Sequence, residues 1–186
     1  MLRLRANALY GLIWNDSKAL KVSLKGLKRY LKSINKDGVL KEEAVRGSRG
    51  LFYTGRGLVA LFSLTELLDE AGINVYDEKF KVKINKAVNF YIDASEDNTL
   101  IYKWAKRNKN NDGDYTYQDQ DVTSNSWVGV FLNIDDLADK ETIEKLYESD
   151  TIQDYFFDAI GSDAQFWVVL DSECFYPVYV KGDMPL

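Results

Sequence analysis

At 186 residues, with 46% apolar residues and a mean hydropathy of −0.32, the chain is long enough to bury a core and polar enough to present a wetted surface. It contains no histidine, which excludes Ser-His-Asp and Cys-His catalysis and any imidazole base or ligand; its single cysteine, Cys174, excludes an internal disulfide. The net charge of −5 hides an asymmetry, since residues 1–56 carry 13 Lys+Arg against 4 Asp+Glu and the remainder carries 11 against 25; the basic segment reads either as a surface that attracts an anionic polymer or as a solvated helix face with ordinary lysines.

In chain order, Met1 to Trp14 reads as a helix: its apolar run is interrupted by Asn7 and lacks a small-residue cleavage site. Residues 16–34 follow as an amphipathic helix with Leu20, Leu24, Leu27, Leu31 and Ile34 on one face and lysines between them, capped by Asp16 or Ser17. Lys36-Asp37-Gly38 ends it in a turn. A longer helix is expected over 47–71, carrying Leu51, Phe52, Leu58, Val59, Phe62 and Leu67, with Gly72 as its C-cap, and another over 78–94. No stretch is read as the roughly 20 apolar residues of a membrane span. Residues 106–125 form the clearest loop, and shorter helices are expected over 125–132, 139–149 and 151–160. The apolar segment from Phe166 to Val180 reads as a short hairpin or an extended packing segment. The expectation is a single all-α domain over 1–186 with a short irregular or β-like C-terminal tail.

The informative segment is DGVLKEEAVRGSRGLFYTGRGLVAL, from Asp37. In a continuous helix Arg46 and Tyr53, seven residues apart, would share a face, and Arg49 and Tyr53 would be i, i+4 neighbours. Guanidinium groups bind carboxylates through paired hydrogen bonds, and a phenol beside a cation can take and return a proton. That chemistry suits removal of the proton at C5 of a uronate sugar, whose carboxylate must first be neutralised. The plainer alternative is that Arg46 and Arg49 cap carbonyls or pair with Asp37, Glu42 or Glu43, while Tyr53 fills the core.

These residues resemble the alginate (polymannuronate) lyase family, whose fold is an (α/α) toroid of antiparallel helix pairs. In that family a DG-x-L-P-x-E turn leads into R-G-x-R-A-L-x-Y and an apolar helix. Asp37, Gly38, Leu40, Glu43, Arg46, Gly47, Arg49, Leu51 and Tyr53 match, and Gly72-Ile73-Asn74-Val75 is similar to the helix end. Asn125-Ser126-Trp127 resembles a later Trp-containing helix, and Ile160-Gly161-Ser162-Asp163 a Gly-Asp turn near the family's C-terminus. The resemblance implies a partial, N-terminally truncated toroid. It implies β-elimination of alginate or a related polyuronate, with Tyr53 and Arg46 catalytic, Arg49 and Trp127 contacting substrate, no cofactor, no metal, no nucleic-acid partner, and a periplasmic or secreted setting. The sequence departs from the family in two places. The Asn-Asn-His motif would lie ahead of Met1, and the His-Asn that follows the family's tyrosine is here Thr54-Gly55. The alternatives are a catalytically inactive remnant that binds anionic glycan and a helical interaction module.

Two weaker signals complete the reading. Asn108, Asn110, Asp112, Gly113 and Asp114 approach the spacing of a calcium loop, but Asn stands first and Asp119 replaces the bidentate Glu, so a solvated turn is expected. Trp104, Trp127 and Trp167 could stack on sugars, although tryptophans at helical spacing are more often core residues.

Overall fold

The computed structural model describes residues 1–75, 77–107, 113–118 and 138–151. They form α1 (Leu2–Ile13), α2 (Ser17–Ser33), α3 (Lys41–Ala44), a 3-10 turn (Gly47–Arg49), α4 (Gly50–Glu70), α5 (Glu78–Glu96), α6 (Thr99–Ala105) and α7 (Lys140–Glu148). Among the described residues there is no β-strand, only an isolated antiparallel bridge between Ile34 and Leu40, and the class is all-α. The expected helix over 125–132 and the segment from Phe166 to Val180 lie outside the described residues, as does all but the first residue of that expected over 151–160.

Aspartates start three of the helices. Asp16 accepts from the Lys18 and Ala19 amides, Asp77 from the Phe80 amide and Asp139 from the Thr142 amide, each satisfying an N–H that has no partner within its own helix. Asn15, at φ 53°, turns the chain between α1 and α2, a geometry asparagine tolerates better than most side chains. The two helices pack against each other, and the buried Ser23 hydroxyl donates to the Leu4 carbonyl at 2.6 Å. At its other end α2 is closed by Lys83 of α5, whose ammonium donates to the Leu31 and Ile34 carbonyls at 2.7 and 3.0 Å. A cation at a helix C-terminus satisfies free carbonyls and complements the helix dipole.

α4 is the central helix, packed against α1, α3, α5 and α6. Leu51, Leu58, Leu61, Leu64 and Leu68 have at most 1% exposure and join Ile84, Val88 and Ile92 of α5 and Ile101 of α6 in one core. Full burial of each such side chain stabilises by about 1.5–3 kcal/mol. Buried Thr54 and Thr65 return their hydroxyl protons to the helix's own carbonyls at Gly50 and Phe62, so no polar atom is stranded there. The sequence reading found no membrane-length apolar run, and this is corrected: Gly47–Glu70 is long and apolar enough, and 72% of its most apolar window is buried among the other helices. A core helix surrounded on several sides loses its polar face for the same reason a membrane helix does.

α4 ends as expected. Gly72 takes φ 74°, and the Ile73 amide donates to the Leu68 carbonyl at 2.8 Å. Its start differs, because Gly47 adopts φ 58°, outside the range of an α-helix. The chain therefore makes a 3-10 turn first, and the α-helix begins only at Gly50.

Candidate active site

The bridge between Ile34 and Leu40 closes a tight turn that delivers the chain to α3. Asn35 Oδ1 accepts from the Asp37 and Val39 amides at 2.9 Å, and Gly38 at its tip takes φ 83° against the Lys86 carbonyl of α5. α3 carries Glu42 and Glu43, and Arg46 follows immediately before the 3-10 turn. Arg46 and Tyr53 thus do not share a helix, which corrects the spacing argument. They meet nonetheless, with the half-buried Arg46 placing its guanidinium carbon 5.1 Å from the centre of the half-buried Tyr53 ring. A guanidinium over a ring face is held by the ring quadrupole. Arg49 is the residue before α4 and is exposed. A second cation–ring pair, Arg56 over Phe52 at 5.6 Å, lies alongside, and Phe52 meets Tyr53 edge-on at 5.4 Å.

Behind Arg46 is a half-buried acid. Glu43 accepts a hydrogen bond from the Tyr30 hydroxyl of α2 at 3.4 Å. Burial raises the Glu43 carboxyl above its ordinary value, while the Arg46 charge and the Tyr30 hydrogen bond pull it back. Burial also raises the Tyr30 phenol, joined by the negative charge of Glu43 and the hydrogen bond Tyr30 donates to it. Tyr30 therefore stays a neutral donor, and the acid that faces Arg46 comes from α3.

Gln118, whose position the sequence reading assigned only to a loop, fastens this region from the other side. Its side chain is buried; Oε1 accepts from the Leu51 amide at 3.1 Å, and Nε2 donates to the Gly47 carbonyl at 3.1 Å and the Tyr115 carbonyl at 2.7 Å. One side chain thereby ties segment 113–118 to the start of the 3-10 turn and to the first turn of α4. Tyr102 of α6 donates to the Thr116 carbonyl at 2.6 Å and packs edge-on against Tyr115 at 5.9 Å. The loop presents Tyr117 to solvent at 69% exposure. A polar residue in a loop gave no sequence signal for this role.

Of the other residues singled out in the sequence, Trp127 lies outside the described residues. Trp104 is a core residue of α6 at 8% exposure and is not an open stacking surface. Of the calcium-like spacing, residues 108–112 and Asp119 lie outside the described residues. Asp114 accepts from the Thr116 amide in a local turn.

The site therefore brings together a guanidinium and a phenol on adjoining elements, backed by a half-buried acid and clamped by an amide. Gln118 apart, its residues lie within the 5–101 stretch that matches the family model described as alginate lyase. No curated protein and no solved structure matches the chain. The match spans more than half of the sequence, and the chain belongs to the alginate lyase family.

Proposed function

We propose that the chain cleaves alginate or a related polyuronate by β-elimination, in a partial (α/α) toroid whose catalytic pair is Arg46 and Tyr53. The observation that carries this reading is the 5.1 Å approach of the Arg46 guanidinium to the Tyr53 ring within the family-matched segment. Arg46 holds the sugar carboxylate and spreads its charge, which acidifies the proton at C5. Tyr53 removes that proton, the C4–O bond breaks as the C4–C5 double bond forms, and the same phenol returns its proton to the departing oxygen. Arg49, exposed at the start of α4, and Trp127 contact the neighbouring sugar. Such a reaction needs no organic cofactor. The setting is periplasmic or extracellular, an inference from the resemblance alone.

A second reading has a specific observation behind it. With no histidine in the chain, and Thr54-Gly55 after Tyr53, the site can bind a uronate without turning it over. The deciding experiment measures ultraviolet absorbance of unsaturated product from polymannuronate, polyguluronate and glucuronan. Product that falls by about 10²–10⁴-fold in Tyr53→Phe supports the lyase. Absence of product from all three polymers, with polymer binding retained and lost in Arg46→Ala, establishes the binding protein instead.

A further inference from the structure

α6 packs beside the catalytic turn: Ile101 fills the space over Gly50, where a side chain would stand 3.4 Å from its Cδ1. One turn further along α6, Trp104 is 8% exposed, and three cations surround its ring. The Lys41 ammonium of α3 lies 5.8 Å from the ring centre, the Lys103 ammonium 5.2 Å, and the Arg107 guanidinium carbon 4.9 Å. All three residues are exposed. One cation over a tryptophan is a common packing contact. Three around one ring are mutually repulsive, and such a gathering is stabilised by an anion. Among the described residues the only ion pair on the cluster is Lys103 with Asp37 at 3.9 Å, and Lys41 and Arg107 have no carboxylate partner. The sequence adds an independent observation. The chain beyond residue 56 is strongly acidic, yet Lys103, Lys106, Arg107 and Lys109 fall in a stretch with no Asp or Glu between Asp97 and Asp112.

We propose that Lys41, Lys103 and Arg107, seated on Trp104, form an accessory site that takes a carboxylate of a polyuronate chain at a sugar other than the one held by Arg46. Trp104 is the floor that sets the spacing of the three cations and is covered by them, so the ligand meets charge and not the ring. In naming a uronate as ligand, the site rests on the reading of the function above. Lys41 begins α3, which packs against α6, and Arg46 follows that helix, so one short element carries a cation of each group.

The test measures binding of a defined-length polymannuronate by isothermal titration in the Tyr53→Phe protein, with and without Lys41→Ala and Arg107→Ala. The expected result is at least about tenfold weaker binding in the double substitution, with a shallower dependence on salt. Lys41→Arg with Arg107→Lys should restore affinity, and thermal melting should show all variants folded. Unchanged affinity overturns the site, as does equal weakening toward an uncharged mannan, and so does failure of the parent protein to bind polymannuronate. The lyase reading is scored separately by product formation in the unsubstituted protein. Cluster-dependent binding without product retains this site and removes that reading.

Discussion

Gly57 of α4 lies so close beneath Tyr30 of α2 that a methyl group there would stand 2.4 Å from the phenolic oxygen. It would also stand 3.0 Å from Glu43 Cγ and 3.2 Å from Leu40 Cδ2. The missing side chain is what lets the Tyr30–Glu43 pair sit against α4 one turn beyond Tyr53. Replacing glycine by alanine inside a helix ordinarily stabilises by about 1 kcal/mol. Here the neighbour is the end of a rigid, buried ring, and the ring must shift and its bond to Glu43 with it. Gly57→Ala should therefore lower stability by a net of about 1–2 kcal/mol, read from the urea midpoint. A raised midpoint would show that Tyr30 yields freely.

Gly38 and Gly72 give a controlled comparison. Both adopt positive φ, 83° and 74°, so alanine is strained at either by about 1–2 kcal/mol. A side chain at Gly72 meets nothing within 4 Å, whereas at Gly38 it would lie 2.0 Å from the Lys86 carbonyl oxygen, a backbone atom that cannot rotate aside. Gly38→Ala should cost about 2–4 kcal/mol and Gly72→Ala about half of that, both measured by denaturant unfolding. Equal losses would mean that the turn does not bear on α5.

Tyr30 makes stability fall in alkali. Its phenol is raised above the ordinary 10.0, first by burial and then by Glu43, so the folded chain keeps a proton that the unfolded chain releases. The associated stability is fully present below pH 10 and is lost as pH rises from there toward the folded value. The slope from this group reaches about 1.4 kcal/mol per pH unit. Tyr30→Phe should flatten the decline above pH 10, although the substitution lowers stability at neutral pH by leaving Glu43 without its donor. An unchanged slope would remove Tyr30 as its source.

The sequence made the all-α class legible because apolar periodicity is a local property. Leu20, Leu24, Leu27 and Leu31 mark α2, and Phe80, Ile84 and Val88 mark α5, within a residue or two of their observed ends. α6 went unread because seven residues supply too few repeats to show a period. The start of α4 was misplaced because periodicity does not report the sign of φ at Gly47. In the site, Arg46 and Tyr53 were visible through the family motif, not through the helical spacing first invoked for them. Tyr30 and Gln118 were invisible for a different reason. They lie 13 and 67 residues along the chain from their respective partners, Glu43 and Leu51, and their roles exist only once the helices have packed.

Gln118 offers the sharpest test of how that packing supports the site. Its amide oxygen accepts from the Leu51 N–H, one of the donors at the start of α4 that no intrahelical carbonyl can satisfy. Its amide nitrogen serves two carbonyls, one on the 3-10 turn and one on its own loop. Gln118→Ala leaves these buried groups unpaired and should cost about 2–3 kcal/mol. Gln118→Glu keeps the acceptor for Leu51 but removes both donors and places a carboxylate near two carbonyl oxygens, so it should rescue little. The distinguishing readout is local. Amide exchange at Leu51 should accelerate in Gln118→Ala by much more than exchange at Leu64 or Ile92, and the lyase activity proposed above should fall as the turn that follows Arg46 loosens. If Leu51 exchange accelerates only as much as the core amides, Gln118 contributes to global stability and does not hold the 3-10 turn in place.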